Sequence, residues 1–282
     1  MRKVVDTNFL KSSNLTEYLR EPSNVAAVPD YVFMETLAGG DMTSIAQSLT
    51  ILAKHPSQVI VLKTTSAVCK LKTRKRSRGL QKRLIDRSQT AGFPAFCKKL
   101  DAARGGDKQA EKEILATKRD AAAQLELLIA DMETYAANMH EAAKGYTPAE
   151  LKIIRSGQAW TQELHDKLVD NVFALALKMF KACNVKELPP AIKLSNSLIF
   201  RYAICAHILS LSWIAVGGPP SKTDHAKFRN DAIDANLAAF ATYFDDFLTE
   251  DTKAADLHKN AKFLVKQFQM KAGAGMPSAS DQ

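Results

Sequence analysis

The sequence predicts an α/β fold, a mostly parallel sheet layered with helices and interrupted by a large all-helical insertion. Three observations predict it. Short β-like runs alternate with helical patterns from Lys3 to Leu62, strand signals cease between about residues 70 and 217, and they resume beyond Gly217-Gly218-Pro219-Pro220. The two halves of the α/β layer thus come from opposite ends of the chain.

Taken in order, Lys3–Val5 is an apolar run ending at Asp6 and reads as a buried strand. Thr7 can cap a helix reaching about Leu19, with Phe9, Leu10, Leu15 and Leu19 facing inward. Val25–Val28 is a second strand closed by Pro29, and a helix through Tyr31–Leu37 stops at Gly39-Gly40. Another helix covers about Met42–Ala53, and Val59–Leu62 is a third strand. In the middle stretch, Leu125, Leu128, Met132, Tyr135 and Met139 recur at 3-4 spacing and mark one helix face. Thr147-Pro148 offers a cap and a first-turn proline. Trp160, Leu164, Leu168, Val172, Leu175 and Met179 form the core stripe of a second long helix, which Leu188-Pro189-Pro190 separates from an apolar helix near 196–216. Later, Asp224–Tyr243 reads as a helix, Phe247–Leu248 as a strand, Asp251–Lys259 as a helix and Phe263–Val265 as a last strand. The expected division is 1–68 with 218–270 as one discontinuous α/β domain, 69–217 as the helical insertion, and 271–282 as a disordered tail.

Composition bounds the function. The chain has 282 residues, 46% of them hydrophobic, enough for a sizeable core and against wholesale disorder. A net charge of +9 and a pI near 9.3 favour polyanionic partners, nucleic acid or an anionic membrane surface. Cys69, Cys97, Cys183 and Cys205 show no CxxC spacing, which argues against a zinc clasp or redox pair and suits a reducing interior. The six histidines form no HExxH. The start, MRKVVDTNFL, lacks the apolar stretch of a signal peptide. The most apolar window, Leu198–Val216, contains Arg201, His207, Ser210 and Ser212 and reads as a buried helix with satisfied interior polar groups, not a membrane span. A soluble, cytoplasmic protein with no membrane partner is expected.

The acidic residues carry the chemistry. Ligands of parallel α/β sheets gather at the C-terminal edge of the strands. Asp6 ends the first strand, Asp251 follows Phe247-Leu248-Thr249-Glu250, Glu35 lies on a helix entered from that edge, and Asp231 and Asp234 lie near the start of the 224–243 helix. Two carboxylates about 5 Å apart repel by roughly 3 kcal/mol at an effective dielectric of about 20. Mg²⁺ or Mn²⁺, hard and oxygen-seeking, relieves such repulsion and can promote attack on a phosphodiester. The structural alternatives stand beside this reading. Asp6 and Asp251 can simply cap helices, whereas Glu35 on an apolar helix needs a partner. Asp245 and Asp246 read as turn residues.

Three blocks resemble the PIN-domain nucleases: KVVDTNFL, VPDYVFMETLAGG, and RNDAIDANLAAFATYFDDFLTEDTKAADL. They cover about a third of the chain. The resemblance implies a three-layer α/β/α PIN-like domain and a Mg²⁺- or Mn²⁺-dependent endonuclease, acting most often on RNA. It implies Asp6, Glu35, Asp234 and Asp251 as catalytic, metal-binding carboxylates, with Asp231 competing with Asp234 for the third position. Thr7, Asn8 and Thr249 would orient them. The sequence departs from compact members of that family through the insertion of about 150 residues between Glu35 and Asp234, which puts simple toxin–antitoxin biology in doubt.

Lys70, Lys72, Arg74, Lys75, Arg76, Arg78, Lys82, Arg83 and Arg87 crowd into one tract with Asp86 as its one acid. Nine positive charges less one negative leave +8 of the chain's +9. Lys72, Arg74, Lys75, Arg76, Arg78, Lys82 and Arg83 are the expected phosphate contacts; a solvated helix face and a nuclear-import tag are the competing readings. The tract has no aromatic residue, so base stacking is not expected there. The insertion is the expected surface for substrate selection, a protein partner or self-association. Two other functions fit the same pattern: a non-catalytic nucleic-acid-binding or scaffold protein on this fold, and a related nuclease acting on DNA.

Overall fold

The computed structural model describes residues 1–71, 79–130, 144–156, 160–185, 187–215 and 225–273. The chain forms two compact units, the first of Met1–Val68, Gly79–Ala130 and Tyr243–Ala255, the second of Cys69–Arg78, Asp131–Thr242 and Asp256–Gln282.

The first unit is mixed α/β. Strands β1 (Arg2–Val5), β2 (Val25–Val28), β3 (Val59–Val61) and β4 (Asp246–Leu248) make an all-parallel sheet in the order β3-β2-β1-β4. The strands β2 and β3 are short valine, isoleucine and alanine runs, β1 ends in Val4-Val5, and β4 carries Phe247-Leu248. Val4, Val5, Ala26, Ala27 and Val28 are fully buried, as expected of a sheet with little contact with water. Val5 pairs with Leu248, so segments far apart in the chain meet in the sheet, with β4 at its edge. Asp245 accepts a bond from the Arg2 amide at 2.7 Å, while Asp246 opens β4 and pairs with Lys3 at 3.0 Å.

Helices α1 (Ser13–Arg20), α2 (Asp30–Ala38), α3 (Met42–Lys54), α4 (Thr65–Cys69), α5 (Leu80–Leu84), α6 (Arg87–Arg104) and α7 (Lys108–Ala130) follow. Thr7 does not start a helix through Leu19. Asp6 caps a 3-10 turn, Thr7–Phe9, and α1 begins later under its own cap, Ser12. Helix α6 packs on β3 and α3, and α7 packs on α2 and α6. These two helices, read from sequence as part of the insertion, therefore lie in the sheet-bearing unit. Leu125 is buried on α7, whereas Met132, Tyr135 and Met139 lie outside the described residues.

The second unit is helical among its described residues: α8 (Pro148–Ser156), α9 (Gln162–Ala182), α10 (Ala191–Leu194), α11 (Leu198–Ala215) and α12 (His225–Ala241). Helix α8 opens on a reciprocal cap: the Thr147 amide donates to Glu150 at 2.6 Å and the Glu150 amide to the Thr147 hydroxyl at 3.2 Å. Trp160 is not in the core stripe. Thr161 caps α9, so Trp160 precedes the helix and is 38% exposed, while Leu164, Leu168, Val172, Ala176 and Phe180 are buried. The apolar α11 packs against α8, α9 and α12. Arg201 and His207 are satisfied inside it: Arg201 Nε donates to the Ser195 carbonyl at 2.7 Å, and His207 Nε2 meets the Tyr146 hydroxyl at 2.7 Å. Among the described residues no helix is long and apolar enough to cross a membrane.

A helix and a terminal strand were expected at Asp251–Lys259 and Phe263–Val265; one helix, α13 (Thr252–Gly273), replaces both. Ala254, Leu257, Ala261, Leu264 and Val265 are buried at helical spacing, and Phe263 is exposed on the other side. The Gly217–Pro220 loop and the tail beyond Gly273 lie outside the described residues.

Candidate functional site

A strand order of 3-2-1-4 reverses direction between β1 and β4. In parallel α/β sheets ligands gather at such a switch in strand order, beyond the carboxyl ends of the strands. Asp6 sits there, directly after β1, and Thr249, Glu250 and Asp251 sit directly after β4.

Asp6 is 4% exposed. Its backbone amide donates to the Leu248 carbonyl at 2.9 Å, fixing one strand end against the other. Its Oδ1 accepts from the Thr7 amide and its Oδ2 from the Thr249 hydroxyl, both at 2.6 Å. These short bonds are of the charge-assisted kind. Thr249 is a junction. Its oxygen also accepts from the Asp251 amide at 3.1 Å and from Asn8 Nδ2 at 3.3 Å. Asn8 Oδ1 in turn accepts from the Glu250 amide at 3.1 Å. The Thr7 hydroxyl donates to Glu35 Oε2 at 2.7 Å, bringing helix α2 into the same network. Asp251 Oδ1 accepts from the amides of Lys253 and Ala254 at 2.7 and 3.1 Å and so caps α13. Burial pushes the Asp6 carboxyl above its ordinary range; Thr249 and Thr7 pull it back, and the charge of Asp251 raises it further.

Asp6, Thr7, Asn8, Glu35, Thr249 and Asp251 are thus linked within the first unit. Asp231 and Asp234 lie on α12 in the second unit, three residues apart and on one helix face; Asp231 is 6% exposed and Asp234 half-buried. Of the basic tract, Lys72, Arg74, Lys75, Arg76 and Arg78 lie outside the described residues. Lys70, Lys82 and Arg87 are exposed and Arg83 is half-buried, with Lys82 and Arg83 in the last turn of α5.

The donor set around Asp6 is oxygen throughout, which suits a hard dication in kind. Among the described residues, however, no three His, Cys, Asp or Glu side chains group closely enough to enclose a metal ion. The hydrogen bonds account for this in part. Glu35 is turned to Thr7, and one oxygen of Asp251 is spent on its own helix.

One strand-end carboxylate escaped the sequence reading. Asp30, just after β2, accepts from the Thr65 amide at 2.8 Å and the Thr65 hydroxyl at 3.1 Å, tying the ends of β2 and β3 together. Burial lifts its carboxyl above the ordinary range. Its signal was its place two residues behind Val28, close to the place Asp6 holds directly behind β1.

Compared with known proteins, the chain matches no family model, no curated protein and no solved structure.

Proposed function

We propose that the chain is a divalent-cation-dependent endonuclease, built on a PIN-like α/β/α domain, that hydrolyses phosphodiester bonds in RNA. The observation that carries this reading is the Asp6 carboxyl, buried just beyond the end of β1 and raised in pKa first by that burial and further by the charge of a second carboxylate, Asp251. A buried carboxyl beside another acid weakens a fold unless a cation offsets the charge. The three sequence blocks and the basic tract support the same reading.

Mg²⁺ typically takes one or two protein carboxylates and completes its shell with water and substrate phosphate. Asp6 and Asp251 would hold the ion on those terms. Glu35 would act from its Thr7-bonded position, and Asp231 and Asp234 enter through the third sequence block alone. Bound there, Mg²⁺ or Mn²⁺ supplies electrostatic stabilisation at the reacting phosphoryl group. Thr7 and Thr249 keep the Asp6 carboxyl in one orientation, and Asn8 braces Thr249. The family likeness implies products with a 5′-phosphate and a 3′-hydroxyl.

The test is cleavage of labelled RNA and matched DNA with Mn²⁺, beside RNA binding and thermal shift. The expected result is that RNA is cut, that Mn²⁺ raises Tm, and that Asp6→Asn binds RNA without cutting it. Full activity in both Asp6→Asn and Asp251→Asn would sink the proposal; preferred cutting of DNA would reassign the substrate. A second reading, a non-catalytic nucleic-acid binder, draws on the lack of a three-ligand group among the described residues. It is favoured if neither ion changes Tm and RNA binding ignores a chelator.

A further inference from the structure

The first unit contains a pocket of about 450 Å³ bounded by α2, the end of β3, α6 and α7. That volume falls in the range of small-molecule sites. Its walls are chiefly apolar and aromatic. Phe33 and Phe93 face each other with ring centroids 6.1 Å apart at 58°, Phe96 adds a third ring, and Leu37 is buried beneath. The charged groups among the described lining residues are both acids, Asp30 and Asp120, with no Lys or Arg, although the chain carries +9 overall. An aromatic wall with an acidic edge repels anions and attracts organic cations, which also gain from lying over ring faces.

Helix α6 is built oddly at this place. Gly92 and Pro94 stand two residues apart inside it, and both weaken helices. Gly92 does not have the positive φ that favours glycine, and a Cβ built on it would meet no atom within 4 Å apart from its chain neighbours and its own helix backbone. Neither the backbone nor crowding calls for glycine. Gly92 does line the pocket, so any side chain there would project into open space on its wall.

We infer that this pocket binds a small ring compound carrying a protonated amine, with the ring among Phe33, Phe93 and Phe96 and the ammonium toward the Asp30–Asp120 side. Gly92 keeps the pocket open for it. The site is separate from the acidic network at Asp6, and its test reads binding rather than cleavage.

The full chain is titrated by calorimetry with tryptamine, phenethylamine and naphthylmethylamine, and with indole-3-acetate as the anionic counterpart of tryptamine. At least one amine binds at millimolar concentration or below, and indole-3-acetate binds about tenfold more weakly than tryptamine. Gly92→Phe, placed where space is open, weakens the amine about tenfold or more and leaves Tm unchanged or higher. Asp120→Asn, an exposed substitution, weakens the amine several-fold and leaves indole-3-acetate bound as well as before or better. The inference is overturned if no amine binds, if indole-3-acetate binds as well as tryptamine, or if Gly92→Phe leaves amine binding intact.

Discussion

Lowering the pH should destabilise the helical unit through His207, a group with no part in the proposed chemistry. His207 is 2% exposed on α11, and burial lowers its pKa from 6.5 to about 4. Its neighbours explain how it stays neutral. Asn171 Nδ2 donates to the Tyr146 hydroxyl at 3.0 Å, which leaves the Tyr146 hydrogen for His207 Nε2 at 2.7 Å. Protonating Nε2 would force the Tyr146 hydrogen to turn away from it. The unfolded chain takes up this proton near pH 6.5 and the folded chain only near pH 4, so between those values the unfolded state binds more protons and stability is lost as the pH is lowered. At ~1.4 kcal/mol per pH unit, the gap amounts to about 3 kcal/mol, fully present above pH 6.5 and lost by pH 4. Urea unfolding followed by fluorescence of Trp213, buried on α11, reports on this unit. The parent should lose about 3 kcal/mol more than His207→Gln between pH 7 and pH 4. Parallel losses in the two proteins would refute the argument.

Three further outcomes follow from the first unit and the basic tract. Asp6 carries the opposite sign to His207: its folded pKa is raised, so its ionisation opposes folding as pH rises through that value. Asp6→Asn should therefore gain on the parent from pH 4 to pH 7.5 without divalent cations, and Mn²⁺ should narrow the gap; urea midpoints at both pH values check this. Thr249→Val removes the donor to Asp6 and the acceptor for the Asp251 amide, and should lower stability by about 1–3 kcal/mol by urea unfolding; a change near zero would mean water replaces both bonds. If the exposed Lys82 contacts phosphate, Lys82→Ala reduces the slope of log affinity for RNA against log salt by about 1, and an unchanged slope removes Lys82 from the contact set.

The parallel sheet was legible because each strand holds a short apolar run, closed by Asp6 behind β1 and by Pro29 behind β2. Parallel pairing then places every strand-end residue on one edge, which is why Asp6 and Asp251 could be brought together without coordinates. Errors came where local pattern gave two answers. Phe263-Leu264-Val265 looks like a strand in isolation, but Leu257, Ala261 and Leu264 continue a helical period across it. Trp160 fits the stripe of α9 by spacing, yet Thr161 is the better cap and leaves it outside. The hydrogen-bond order of the site was not legible at all. Which oxygen Thr249 serves depends on the β1–β4 register, which no local window contains. The Phe33–Phe93 pocket was hidden for the same reason, since its lining comes from separate elements.

The pairing of β1 with β4 also bears on how the protein is made. Thr249 lies 243 residues after Asp6. At about 5–20 residues per second, a ribosome needs roughly 12–50 s to reach it after making Asp6. Throughout that interval β1 lacks its β4 neighbour, and Asp6 has neither Thr249 to orient it nor Asp251 beside it. On the proposed function, the site would stay incomplete, and the chain inert, until β4 has been made and docks on β1.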